Sequence, residues 1–185
     1  MNQIAEPAWR DNQPFFKNQA PIKVRHWLVD QGSLTQRLIN ACHGNFYVQI
    51  FDEYWAKPFY SEQTTLGINT GELAFIREVH LFCDSQAVVF ARTVIPQSTL
   101  KGELQKLTRL GERPLGAVLF SNQKIHRGQM QVARIDSQHA VYDAALYDTD
   151  IADIPIWGRR SVFNLVDKPL LVSEIFLPSI ENLGS

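Results

Sequence analysis

Positive charge in excess is the first thing this chain lacks. Its 18 lysines and arginines stand against 19 aspartates and glutamates, for a formal charge of −1. Nucleic-acid-binding domains ordinarily carry a basic surplus, so a nucleic-acid partner is not expected and any anion must be recognised locally by a few placed cations. Cysteine is scarce as well. Cys42 and Cys83 are the only two, without C-x-x-C spacing, which argues against a secreted disulfide framework and fits a reducing cytoplasm. No apolar run approaches the roughly 20 residues of a membrane-spanning helix, so no stable membrane insertion is expected. The opening MNQIAEPAWRDNQPFF has neither the basic nor the continuous apolar region of a signal peptide. The five histidines (His26, His43, His80, His126, His139) are scattered, with no H-E-x-x-H or paired Cys/His spacing, which argues against a zinc centre. The G-x-S-x-G elbow, the P-loop and G-x-G-x-x-G are all missing. YDTDIAD offers Asp148, Asp150 and Asp153 but lacks the glycine and closing glutamate of a calcium loop. A site without metal or cofactor is the expectation.

What is present is an ordinary globular composition, 45% apolar and 20% charged over 185 residues, enough for one domain with a real core. Residues 1–21 have no period and read as an arm; residues 22–180 read as a single domain. IKVRHWLVDQGSLTQRLINACHGN predicts two helical pieces broken at Gly32. Ser33 would be the N-cap, Gln36 would complete a capping box, and Gly44 would follow the C-terminus. FYVQIFDEYWAKPFY predicts a strand ending at Pro58, and LAFIREVHLFCDSQAVVFARTVIP a hairpin. A helix is expected from Thr99 to Leu110, stopped at Gly111, and another starting at Pro114. QVARID and SVFNLVDKPLLVSEIFLP supply further strands, the latter turning around Asp167 to Pro169. HRGQ places Arg127 in a loop, and residues 137–158 read as a long excursion with room for one short helix. The sum is an α+β fold, an antiparallel sheet of about six strands with helices packed on one side.

The hairpin raises the functional question, because each of its strands carries one arginine. Side chains alternate along a strand, so Arg77 shares a face with Phe75, Val79 and Leu81, and Arg92 with Val88, Phe90 and Val94. A two-residue turn at Asp84-Ser85 sets Cys83 opposite Gln86, and so Arg77 opposite Arg92. Two cations so placed repel each other. They need either structural carboxylates, with Glu174 or Asp136 as candidates, or an anionic ligand that matches their planar forks. GERPLGAVLF adds a helix start at which the free N–H of Leu115 faces outward. PLLVSEIFLP places Glu174 in mid-strand, on the face of Val172 and Phe176, where a carboxylate needs a partner. In WGRRS, Arg159 and Arg160 face opposite ways, so at most one of them reaches a common pocket.

REVHLFCDSQAVVFARTVIP, RPLGAVLF, WGRRS and KPLLVSEIFLP, in this order and spacing, resemble the bacterial chorismate pyruvate-lyase family, with GSLTQRL matching near the N-terminus. The similarity runs from about Trp27 to Pro178. It implies a cofactor-free conversion of chorismate to 4-hydroxybenzoate and pyruvate, at the entry to ubiquinone synthesis, in a cytoplasmic monomer whose aromatic product is buried under flaps. By matching motifs, Arg77 and the Leu115 N–H would hold the ring carboxylate and Glu174 the ring hydroxyl. Leu34 would provide a backbone contact from the flap region, and Arg92 would take the enolpyruvyl carboxylate. Two departures stand out: the segment between RID and WGRRS is longer here, and Ala91 stands where a glycine is common. The alternative is a non-catalytic aromatic-acid sensor, since the fold also resembles GntR-type effector domains. Those follow a winged helix-turn-helix, for which the roughly 20 residues before the first helix are too few.

Overall fold

The computed structural model describes residues 5–11, 19–120, 125–147, 149, 153–165 and 167–183; Asp148 and Asp150 of YDTDIAD lie outside them. Among the described residues, eight strands form one antiparallel sheet: β1 (Arg10–Asp11), β2 (Phe46–Ala56), β3 (Ala74–Cys83), β4 (Gln86–Pro96), β5 (Ile125–Arg127), β6 (Gln131–Ile135), β7 (Ile156–Leu165) and β8 (Lys168–Phe176). Their order across the sheet is β1-β6-β7-β8-β4-β3-β2, with β5 also on β7. Six are full strands, as expected. The additions are β1, two residues of the arm, and β5, which takes Arg127 out of its expected loop.

Two bulges interrupt the strand alternation. Leu81 faces Val89 while Phe82 faces Ala87, so Val88 is the extra residue in β4. Between Ile50 and Asp52 the β2–β3 register shifts in the same way, and Phe51 is extra. A bulge sends every later side chain to the opposite face. Cys83 still faces Gln86, but Arg77 faces Thr93 and Arg92 faces Glu78. The direct opposition of Arg77 and Arg92 is therefore corrected: they lie on opposite faces of the sheet.

The first face carries α1 (Ile22–Val29), α2 (Leu34–Ala41), a 3-10 helix (Gly102–Arg109) and α4 (Leu115–Phe120). Trp27, Leu28, Leu34 and Leu38 pack on Val79, Leu81 and Ala91, and Leu107, Leu110 and Leu115 on Phe75, Ile95 and Phe163. Ser33 caps α2 as expected, its Oγ accepting the Gln36 N–H at 3.3 Å. The box stays half-closed because the Gln36 side chain donates to Asn40 instead. The helix ends at Ala41, so Gly44 lies beyond its end, where it leaves room for the Asp84 carboxylate. The segment expected as a helix from Thr99 starts only at Gly102 and is a 3-10 helix, since Thr99 is tied to the Pro169 carbonyl and Gly102 takes a left-handed φ of 57°.

Helices are not confined to that face. Two short ones cover the second: α3 (Tyr60–Leu66), through Leu66 against Val94 and Leu171, and α5 (Tyr142–Ala145), against Phe90 and Ile175. The arm contributes here too. Glu6 accepts the N–H groups of Tyr60 and Ser61 and so caps α3.

Candidate active site

The site lies on the first face, and two registers build it. One row across the sheet reads Glu53, Arg77, Thr93, Val172, Ser161; the next reads Ile50, Val79, Ala91, Glu174, Arg159. The β2 bulge matters here, because it places Glu53 on the face of Arg77. Thr93, Ala91, Val79 and Val172 floor a narrow cavity with about 40 Å³ of free volume, with Arg77 and Glu174 in its wall. Its roof comes from two helix starts, Leu34 and Thr35 of α2, and Leu115 and Gly116 of α4. Gly116 permits that approach: a Cβ there would stand 2.7 Å from the Thr35 hydroxyl.

Arg77 is only 2% exposed. Its Nε donates to Glu53 at 3.0 Å, and Nη2 donates to the carbonyls of Gly111 at 2.7 Å and Arg113 at 3.3 Å. Burial lowers its pKa, with Glu53 opposing. The carbonyls belong to the turn before α4, so one side chain ties the sheet to the roof. Leu115, the first residue of α4, has a backbone N–H without an intrahelical acceptor.

Glu174 finds its partner in Arg159, which is wholly buried and donates from Nε to Oε2 at 2.6 Å. Nη1 of Arg159 reaches the carbonyls of Trp27 and Asp30, at 2.7 and 2.6 Å, and so closes the C-terminal end of α1. The Asp30 carboxylate is held by Arg37 and the Gly32 N–H. Burial raises its pKa, but these two contacts outweigh it and leave the group below its usual range.

The family model described as chorismate lyase matches residues 8–182. This chain belongs to the chorismate lyase family. A protein of Thiobacillus denitrificans named "Probable chorismate pyruvate-lyase" is 43% identical over 162 residues, covering 88% of this chain and 86% of that one. One of the same name from Aromatoleum aromaticum is 39% identical over 177 residues, covering 95% and 94%. Among solved structures, a GntR-family transcriptional regulator from Enterococcus faecalis aligns with a TM-score of 0.52 at 16% identity, over 77% of this chain and 93% of that one; that likeness is one of fold. Among the described residues, no helix is long and apolar enough to cross a membrane.

Of the positions expected from the chorismate lyase motifs, Leu34, Arg77, Leu115 and Glu174 all line the one cavity. Arg92 does not join them. It lies on the second face, with Nε 2.8 Å from Glu62, Nη1 2.6 Å from Glu78 and 3.1 Å from the Tyr54 hydroxyl, and its guanidinium over the Phe59 ring. Neither structural carboxylate proposed for the hairpin arginines serves them: Glu174 pairs with Arg159, and Asp136 with Arg134. The sequence left open which of Arg159 and Arg160 reaches the pocket; the β7–β8 register puts Arg159 on the face of Glu174. Glu53 was hidden by the β2 bulge, and Glu62 by a helix that the sequence reading passed over.

Proposed function

We propose that the protein is a chorismate pyruvate-lyase, a cytoplasmic monomer that converts chorismate to 4-hydroxybenzoate and pyruvate for ubiquinone synthesis. Beyond family membership, one observation carries this reading: Arg77 and Glu174 line the same largely apolar cavity from two strands apart. Two interstrand spacings and a two-residue step put their Cα atoms about 12 Å apart, which leaves their side chains room to bracket a ring with a carboxylate and a para hydroxyl. The Arg77 guanidinium, helped by the Leu115 N–H, takes the ring carboxylate. The Glu174 carboxylate, held by Arg159, accepts a hydrogen bond from the hydroxyl on C4.

Aromatisation drives the chemistry, so the protein needs only to fix the reactive conformer and stabilise developing charge. The hydrogen on C4 moves to the enolpyruvyl methylene, the C3–O bond breaks, and the ether oxygen becomes the keto oxygen of pyruvate. The free volume holds water but no ring, so a ring enters when the two helix starts part.

The test is direct. Purified protein mixed with chorismate should release 4-hydroxybenzoate and pyruvate in equal amounts; tight product binding without turnover would instead fit a sensor. Arg77→Ala should weaken 4-hydroxybenzoate binding by roughly 100-fold, the cost of losing one buried charged partner, and near-normal affinity would refute the carboxylate assignment. In deuterated solvent, label in the pyruvate methyl beyond enol exchange would count against the internal hydrogen transfer and favour Glu174 as a general base.

A further inference from the structure

Around the cavity on the first face, the described carboxylates are already paired. Arg77 is met by Glu53, Arg159 by Glu174, and the Asp30 carboxylate is occupied by Arg37. That leaves Arg127, at the end of β5, opposite Phe163 of β7. Its Nε donates to the Ser161 hydroxyl at 3.0 Å, its Nη1 to the Gln31 carbonyl at 3.2 Å and its Nη2 to the Met130 sulfur at 3.5 Å. None of these partners is charged, and a thioether is a poor acceptor. Burial lowers the Arg127 pKa, the Glu174 charge opposes this and the Arg159 charge adds to it, so both residues lie within electrostatic reach. Arg159 has capacity to spare as well: its Nη2 is buried with no acceptor among the described residues.

Partly buried guanidinium groups short of acceptors are costly unless an anion comes to them. The substrate supplies one: neither guanidinium lines the cavity, but Arg127 lies over the Phe163 ring and Arg159 holds Glu174, and both Phe163 and Glu174 line it. In chorismate the hydroxyl is para to the ring carboxylate, and the enolpyruvyl ether sits on the carbon next to the hydroxyl. With the ring carboxylate on Arg77 and the hydroxyl on Glu174, the ether is meta to the ring carboxylate, so the second carboxylate falls next to Glu174, to one side of the line from Arg77 to Glu174.

We propose that Arg127, together with the free Nη2 of Arg159, binds the carboxylate of the enolpyruvyl group that leaves. Arg92 is barred from that role by lying on the other face. The inference rests on the chorismate reading above. A cation here also stabilises the charge that grows on the departing three-carbon acid.

The experiment separates the two carboxylates. Arg127→Met should lower kcat/KM for chorismate by roughly 100-fold, in line with removing one partner of a desolvated charge pair. Its affinity for 4-hydroxybenzoate, which has only the ring carboxylate, should stay within about threefold. Arg127→Lys should recover part of the lost activity, since it restores the charge but not the fork. Normal turnover by Arg127→Met, or equal losses in turnover and product binding, would overturn the assignment; the latter would make Arg127 a clamp on the Gln31 carbonyl. A measurement on the unaltered protein keeps the test open should the variants fail to fold. The probe 3-(carboxymethoxy)-4-hydroxybenzoate carries a carboxylate on an ether at the leaving-group position. It should bind at least about tenfold more tightly than its methyl ester at that carboxyl, and equal affinities would overturn the proposal. Failure of the unaltered protein to turn over chorismate at all is a different result, and it would remove the proposed function itself.

Discussion

Arg92 and His80 show how burial and its partners together assign roles on the second face. Burial opposes the Arg92 charge, but hydrogen bonds and attraction from Glu62 and Glu78 outweigh it and hold the group well above its ordinary pKa. Arg92→Met would leave two carboxylates facing each other without a cation. Removing one partner of a buried ion pair costs about 3–5 kcal/mol, so the urea midpoint should fall steeply while the folded fraction still binds 4-hydroxybenzoate normally. A variant of normal stability that had lost only product binding would mean that Arg92 reaches the site after all. His80, 7% exposed among Phe51, Phe82 and Phe90, donates from Nε2 to the Ala145 carbonyl at 3.0 Å. Burial lowers its pKa, although the carbonyls of Ala145 and Ala144 oppose that. The unfolded chain therefore takes up a proton first as pH falls, and the His80 contribution is complete above about 6.5 and lost progressively below it. Unfolding free energies measured between pH 7.5 and 5.5 should decline more steeply in the unaltered protein than in His80→Gln, which keeps a donor for Ala145. Identical slopes would dismiss the idea.

At the scale of elements, two extra residues decide where the chemistry goes. The six long strands, the Ser33 cap, the helix start at Leu115 and the mid-strand carboxylate of Glu174 were legible because each depends on local spacing, whereas Leu34 was marked as a cavity position only by the resemblance of GSLTQRL to the family motifs. Val88 and Phe51 were not legible: a bulge leaves no period of its own and reverses parity for everything beyond it. Without them Arg92 would face Arg77, and Glu53 would turn away from it. The meeting of α2 and α4 was equally unreadable, since it depends on Gly116 accepting the Thr35 hydroxyl almost against its backbone. Gly116→Ala replaces a glycine in the first turn of α4, which ordinarily stabilises by about 0.4–1 kcal/mol by restricting the unfolded chain. Here the new methyl must push Thr35, so stability should change little while the roof is prised from the cavity and product affinity drops. Adding Thr35→Ala removes the clashing hydroxyl and should restore affinity relative to Thr35→Ala alone. Isothermal titration of the four proteins closes the double-mutant cycle, and strict additivity would show that the contact does not govern the roof.

The whole molecule holds its roof by ties that converge on the chain between α1 and α2. Arg159 grips the Asp30 carbonyl, Arg37 its carboxylate and Arg127 the Gln31 carbonyl. At the far end of α2, Cys42 is joined to Cys83 at the end of β3, with Cα atoms 5.5 Å apart. The sequence argued against a disulfide framework, and two cysteines separated by 41 residues gave no sign that this helix and hairpin would bring them together. Closing a loop of that size restricts the unfolded chain by about 4 kcal/mol in the chain-entropy treatment, so a thiol reductant should lower the urea midpoint accordingly. The site should not follow. Both cysteines are buried in the cluster with Val48 and Leu81, where free thiols pack as small apolar groups, and α2 keeps its arginine ties at the end that lines the cavity. Reduced protein, the form a reducing cytoplasm maintains, should therefore bind 4-hydroxybenzoate within about threefold of the bridged form, since no residue on the cavity wall changes. Loss of binding on reduction, with the fold retained by circular dichroism, would show that the bridge holds α2 over the site and that the arginine ties do not suffice.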